Sequence, residues 1–156
     1  MTAQISERLI IDGEEHAMCS EPLGGYFALG GHRPDLRSPS TACWRGYFGT
    51  WEVIDSRLYL VQFRGFLQGG GEIGLGELFP SFPDRVFAHW YTDTVRLPQG
   101  KQLEYVHMGY GSKYERDLLI RFEKGVVAES RVRKNGVAKS GSPEGYGVGA
   151  FTTLSR

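Results

Sequence analysis

Residues 43–67 constrain the fold more than any other part of the chain. They contain the strand formers Trp51 and Val53, then Asp55-Ser56, then the run "LYLVQF" from Leu58 to Phe63. Asp-Ser between two such runs favours a tight turn, so the segment predicts a β-hairpin. Both faces of "LYLVQF" are largely apolar, which is typical of a strand buried on both sides in the middle of a sheet.

Similar runs and turn signals recur along the chain. Asp12-Gly13 separates two short strand-like runs, Pro98-Gln99-Gly100 closes a run that starts near residue 86, and Asn135-Gly136 ends the run "VVAESRVRK". The strands "KQLEYVHM" and "KYERDLLIRFEKG" lie between the last two signals, and a last short strand is expected at Gly149 to Leu154.

Glycine and aromatic residues dominate the composition, with 22 Gly, nine Phe, eight Tyr and three Trp. Glycine favours turns and aromatic residues favour strands, while helix signals are weak throughout. Residues 20–42 read as a long Gly/Pro-rich loop that includes one short turn of helix. We therefore predict that residues 1–156 form one all-β domain, an antiparallel sandwich or barrel with long loops and little helix.

The run "KYERDLLIRFE" alternates apolar and charged residues. This period of two predicts a half-buried strand with one face in water. One face carries Tyr114, Leu118, Ile120 and Phe122, and the other carries Glu115, Asp117, Arg121 and Glu123.

Charge and the N-terminal sequence exclude several classes. Lys plus Arg equals 18 and Asp plus Glu equals 18, so the formal charge is zero, which argues against nucleic-acid binding. The basic stretch "RVRKNGVAK" is diluted by Glu129 and Glu144 and reads as a solvated strand face. No secretory signal and no apolar run of about 18 residues is present, so we expect a cytoplasmic protein outside the membrane.

Two motifs suggest cofactor sites but lack the required context. "GGGEIG" at residues 69–74 matches G-x-G-x-x-G, yet Pro80 and Pro83 prevent a helix of useful length after it, so a glycine-rich bend is favoured. His16, Cys19, His32 and Cys43 could form a zinc set, but the second pair lies in loop. Reduced, buried thiols and surface histidines are favoured, and we predict no metal and no cofactor. Cys43 as a nucleophile is likewise less favoured than Cys43 in the core.

His89-Trp90-Tyr91 precedes a predicted strand. If strand parity extends to it, His89 and Tyr91 share one face while Trp90 enters the core. His89 and Tyr91 are therefore candidate ligand-binding residues.

The stretch "YVHMGYGSKYERD" at residues 105–117 is the main candidate site. Its glycines predict a hairpin turn, and parity places Tyr105 and His107 on one face, with Val106 and Met108 on the other. Tyrosine hydroxyls beside a histidine can exchange protons or bind a ligand. Candidate ligand-binding residues here are Tyr105, His107, Tyr110, Ser112 and Glu115.

The runs "STACWRGYFGTWEVIDSRLYLV" and "FAHWYTDTVRLPQGKQLEYVHMGYGSKYERDL" are similar to a set of small bacterial proteins of unknown function. The resemblance covers about Ser40 to Gly125 and implies a bacterial, cytosolic origin, with no activity attached.

Two functions remain open at this point. Loop aromatic residues outnumber plausible catalytic groups, which favours a non-catalytic binding module, such as an immunity-type, antitoxin-like or other accessory protein, that recognises a protein partner or a small ligand. The alternative is a small enzyme or a nucleotide-derivative-binding protein whose site surrounds His107, Tyr110 and Glu115.

Overall fold

The computed structural model describes residues 3–143, which form one mixed β-sheet and two short helices. The all-β prediction is confirmed. No helix in this part of the chain is long and apolar enough to cross a membrane. The strands are β1 (Glu7–Ile11), β2 (Glu14–Met18), β3 (Tyr47–Ile54), β4 (Arg57–Phe66), β5 (Glu72–Ile73), β6 (Val86–Phe87), β7 (Asp93–Glu104), β8 (Lys113–Glu123) and β9 (Val126–Lys134), and the helices are α1 (Pro22–Ala28) and α2 (Leu75–Leu78).

The strand order is β2-β1-β3-β4-β9-β8-β7, and β5 and β6 pair with β4 beside this path. Neighbouring strands are antiparallel except β1 and β3, which run parallel. The sheet curves so that its two ends, β2 and β7, meet. There the amide of Cys19, which follows β2, donates to the carbonyl oxygen of Arg96 in β7 at 2.9 Å.

Tight turns join three of the strand pairs in the described range, namely β1 to β2, β3 to β4 and β8 to β9. Asp12 and Gly13 have φ of 51° and 80°, and Asp55 and Ser56 have φ of 50° and 62°. Two consecutive residues with positive φ are the signature of the type I′ hairpin turn, whose twist matches that of the strands. The turns predicted at Asp12-Gly13 and Asp55-Ser56 are therefore confirmed.

The main core lies on the concave side of the sheet, and β4 is central to it. Trp51 and Leu60 are fully buried there, and Phe122 of β8 joins them. Burial of "LYLVQF" on both faces is only partial, because Gln62 is exposed. The central position of β4 is confirmed, whereas its outer face is in part open.

Pro98-Gln99-Gly100 does not close a strand. β7 continues through it to Glu104, with a shift in its register against β8 between Gln99 and Gln102. The extra residues form a β-bulge, which accommodates the positive φ of 81° at Gly100. Because β7 ends at Glu104, residues 105–112 form a loop, and the parity expected for Tyr105 and His107 does not apply.

The prediction that one face of β8 is exposed to water is wrong at one position. Asp117 is buried, and its carboxylate accepts hydrogen bonds from Arg96, Arg133 and Asn135. Three donors that lie far from Asp117 in sequence replace the water that the alternation predicts.

The glycine-rich segment matches its prediction, whereas the long loop contains a helix of seven residues, about two turns, where one short turn was expected. Residues 20–42 contain the short helix α1, and "GGGEIG" leads into α2, which has four residues. The strand expected at Gly149 to Leu154 lies outside the described residues.

Candidate functional site

The loop of residues 105–112 is held from beneath by Arg96. The guanidinium of Arg96 donates to the carbonyl oxygens of Tyr110 and Ser112 at 2.9 and 2.8 Å. Inside the loop, the amide of Val106 donates to Ser112 Oγ at 2.9 Å, and Ser112 Oγ donates to the Val106 carbonyl at 3.3 Å. Ser112 therefore closes the loop from within, where sequence reasoning placed it at a ligand.

Tyr110 ties the same loop to the long loop of residues 20–42. Its hydroxyl donates to Glu21 Oε2 at 2.6 Å. Burial, partly offset by the charge of Arg45, raises the pKa of Tyr110 far above its ordinary value, so the phenol stays protonated and remains a donor.

Gln4 joins this loop to a second segment, residues 41–45. Its backbone amide donates to the carbonyl oxygen of Gly109 at 2.9 Å, and its Oε1 accepts from the Trp44 amide at 2.8 Å. Its Nε2 donates to the Thr41 carbonyl at 2.9 Å. The backbone amide of Gln4 thus bonds to one loop and its buried side chain to the other, so this one residue joins two segments that are distant in sequence.

A buried ion pair anchors the second segment. Arg45 donates from Nε and Nη2 to Glu7 Oε2 at 3.1 and 2.8 Å, and from Nη1 to the Ile5 carbonyl. The Gly49 amide and the Trp51 indole complete the shell of Glu7 at 2.8 and 3.1 Å. Burial raises the pKa of Glu7 despite these contacts, yet all of its partners donate, so they suit the ionised carboxylate.

Four exposed side chains project from the two anchored segments, and we call them the aromatic rim: Trp44, Tyr105, His107 and Met108. Trp44, Tyr105 and Met108 are 46, 52 and 53% exposed. The Tyr105 hydroxyl lies 2.7 Å from His107 Nδ1, a contact made within the loop and not through strand parity. Sequence reasoning did not select Trp44 or Met108 as candidate binding residues. The available signals were the position of Trp44 next to a loop cysteine and the position of Met108 next to a glycine.

The remaining predicted residues lie apart from the rim. Glu115 accepts from the amides of Lys101 and Ala138 at 2.8 and 3.0 Å, which lower its pKa, so its carboxylate ties the β7 bulge to the segment after β9. His89 is exposed in a turn, with its ring 5.5 Å from that of Trp90.

Tyr91 does not share a face with His89, because residues 89–90 form a turn and parity does not hold there. Tyr91 is buried, its ring lies 6.1 Å from that of Phe122, and burial raises its pKa to about 12. It is bonded to Ser20, the neighbour of Glu21, so Tyr91 and Tyr110 both anchor the start of the long loop.

The proposed zinc residues do not converge. Within residues 3–143, no group of three or more His, Cys, Asp or Glu is placed to hold a metal ion. Cys19 and Cys43 are both free thiols, and burial raises the pKa of Cys19 to about 12. Burial also raises the pKa of Cys43, whose Sγ lies 3.4 Å from the Tyr47 carbonyl, so neither thiol is activated as a nucleophile.

Comparison of the chain with protein-family models, with curated proteins and with solved structures gave no match.

Proposed function

We propose that this chain is a non-catalytic binding module that recognises a protein partner through the aromatic rim. The observation that carries the proposal is the exposure of Trp44, Tyr105 and Met108 on two loops that Gln4 holds together. Tryptophan, tyrosine and methionine are the residue types enriched in protein–protein interfaces.

The anchoring beneath the rim supports binding because it lowers the entropy lost on association. Arg96 and Ser112 hold one loop, and the Glu7–Arg45 pair holds the other. Loops already ordered in the free protein lose little further freedom when a partner docks, which increases affinity.

Catalysis is supported less well. Of the residues in the alternative site, Tyr110 is bonded to Glu21 and Glu115 to two backbone amides, so both stabilise loops. We also propose a cytosolic location, since two thiols that remain unpaired suit a reducing compartment. An immunity-type or antitoxin-like protein of bacterial origin would fit such a module.

The test is affinity capture from lysate of the source cells, followed by titration of the recovered partner. We expect Trp44→Ala and Met108→Ala to weaken binding by about 30-fold each if both are hot spots. The matched control is Phe82→Ala, because Phe82 is 59% exposed outside the rim. A partner that is lost with Phe82→Ala and kept with the rim variants contradicts the proposal, as does recovery of the protein alone.

A further inference from the structure

The strand β9 borders an opening in the sheet. It stands between β4 and β8 in the strand order, yet it pairs with β4 only where Arg57 meets Val126. Beside this pair, the Val127 amide donates to the Ser56 carbonyl oxygen at 2.8 Å. Farther along, β4 pairs with β6 and β5 instead, so β9 loses its neighbour on that side. Every residue of β9 from 128 to 134 is exposed.

The ladder between β8 and β9 shows which backbone groups of β9 face the opening. The amide of Asn135 donates to the carbonyl oxygen of Glu115 at 2.7 Å, and the register is unbroken from there back to the bulge of β9. In an antiparallel pair, residues whose N–H and C=O groups point to the partner strand alternate with residues whose groups point away. Ser130, Val132 and Lys134 therefore point away from β8. Within the described range, their N–H and C=O groups make no hydrogen bond to the protein.

These three residues form what we call the open edge: Ser130, Val132 and Lys134. A row of alternating donors and acceptors with the spacing of a strand is a template for a second extended chain, which can bond to each residue twice. A nucleic-acid backbone does not offer this alternation. The complementary ligand is therefore a polypeptide strand.

The charges beside the open edge favour an acidic strand. Residues 128–134 carry three cationic side chains and one carboxylate, that of Glu129. Arg133 contacts Asp117 Oδ2 at 2.6 Å, whereas Arg131 and Lys134 have no ion-pair partner in the described part of the chain. Carboxylates opposite these side chains would form cross-strand ion pairs.

A second copy of the chain fits this edge poorly. The symmetric antiparallel pairing that uses all three open-edge residues of both copies centres on Val132. It sets Arg131 of each copy opposite Arg133 of the other, and like charges directly opposite destabilise a strand pair. Charged side chains on an edge thus exclude an identical strand and select for one of opposite charge.

We propose that the open edge of β9 binds an extended acidic segment of a partner protein by strand addition. Strand parity places Arg131 and Arg133 on one face and Val132 on the other, where Val132 is 53% exposed. The bound segment would alternate carboxylates opposite the two arginines with an apolar side chain beside Val132. The open edge shares no residue with the aromatic rim and does not depend on the function proposed there.

The experiment is a ¹H–¹⁵N NMR titration of the full chain with a short capped peptide in which glutamate alternates with valine, up to millimolar concentration. We expect this peptide to shift the amide signals of Ser130, Val132 and Lys134. One control peptide carries lysine in place of glutamate. A second control keeps the glutamates but is N-methylated at successive residues, so both of its edges lack N–H donors. Neither control should shift these signals.

Val132→Pro tests the edge from the side of the protein. Because the Val132 amide points away from β8, proline removes an open-edge donor and leaves the β8 ladder complete. The matched control is Val132→Ala, which loses the same side chain but keeps the amide. Val132→Pro should bind the glutamate peptide about five- to tenfold more weakly than Val132→Ala, the contribution of one backbone hydrogen bond. Arg131→Glu should reverse the preference between the glutamate and lysine peptides.

Unshifted edge amides overturn the proposal, as does equal binding of the N-methylated peptide, which tests the hydrogen bonds without altering the protein. Equal affinities of Val132→Pro and Val132→Ala contradict strand addition. A dimer of the free chain in analytical ultracentrifugation that Val132→Pro dissociates assigns the edge to a second copy instead. Tighter binding of a single-stranded oligonucleotide, with no loss in Val132→Pro, assigns the basic side chains to nucleic acid and likewise overturns the proposal.

Discussion

Glu7 and Asp117 are both buried carboxylates bonded to arginine, and each supports one of the two segments that carry the aromatic rim. Glu7 holds Arg45 next to Trp44, and Asp117 holds Arg96, which in turn holds residues 105–112. Their surroundings differ: Glu7 and its partner both lie in the interior, whereas Asp117 also pairs with Arg133, which is half exposed.

This difference sends their pKa values in opposite directions. Burial dominates at Glu7 and raises its pKa, even though Arg45 opposes the shift. Burial also disfavours the Asp117 carboxylate, but hydrogen bonds from Arg133 and Asn135 outweigh it and lower the pKa. The same type of pair is therefore costly to desolvate in the interior and favourable at the edge of the protein.

The largest effect is expected from Glu7→Gln. The amide keeps the volume of the carboxylate, but it leaves the buried guanidinium of Arg45 without its counter-ion. Removing one partner of a buried pair costs about 3–5 kcal/mol, to be measured by urea unfolding. Glu15→Gln is the control, because its pair with Arg8 is partly exposed and is worth about 0–1 kcal/mol. A loss no larger than that of the control would show that the interior pair is not needed.

Gly49→Ala tests the packing of the same carboxylate. A Cβ at Gly49 would lie 2.4 Å from Glu7 Oε1 and 3.1 Å from Trp51 Nε1. We expect a loss of about 1–3 kcal/mol in the free energy of unfolding, the usual penalty for overpacking. The control is Gly24→Ala in α1, where an added Cβ meets nothing within 4 Å. If the two variants unfold at the same urea concentration, the shell of Glu7 is looser than its distances indicate.

The comparison also separates what the sequence predicts from what it does not. The turns at Asp12-Gly13 and Asp55-Ser56 depend on residues within a four-residue window, so their chemistry is readable locally. The bulge at Gln99 and the end of β7 at Glu104 depend on pairing with β8, and the end of the strand is why parity does not orient Tyr105 and His107.

The rim depends on contacts that no periodicity records. Gln4 meets Gly109, and Glu7 meets Arg45, across long stretches of chain. Ser112 and Tyr110 were singled out for their chemistry, and the structure uses that chemistry to hold a loop. Local pattern singled out residues 105–112 as a candidate, while the direction of each side chain required the tertiary structure.

Asp117→Asn tests the other member of the pair through pH. The pKa of Asp117 is lower in the folded protein than the ordinary value, so the unfolded chain binds more protons near that value. The stabilisation is therefore present above the ordinary aspartate pKa of about 3.9 and is lost as the pH falls through the folded value. We expect urea midpoints to fall on acidification in the wild type and to change less in Asp117→Asn.

At neutral pH the same variant should lose about 1–3 kcal/mol, since Arg96 and Arg133 lose a charged acceptor. Asp84→Asn, at an exposed position, serves as the control and should retain the wild-type pH dependence. An unchanged acid response in Asp117→Asn would assign the pH dependence to other carboxyl groups.

The smallest effect is expected from Ser112→Ala, which acts on the rim rather than on the core. The substitution removes both hydrogen bonds that Ser112 makes with Val106, at a cost of about 1 kcal/mol. Because Arg96 still holds the carbonyl oxygens of Tyr110 and of residue 112, the loop should loosen without unfolding. We expect faster amide hydrogen exchange in residues 105–112 and an unchanged rate in β3, with Ser130→Ala as the matched control. Unchanged exchange in the loop would mean that Arg96 alone orders it, and the preorganisation of the rim would then depend on Asp117 and not on Ser112.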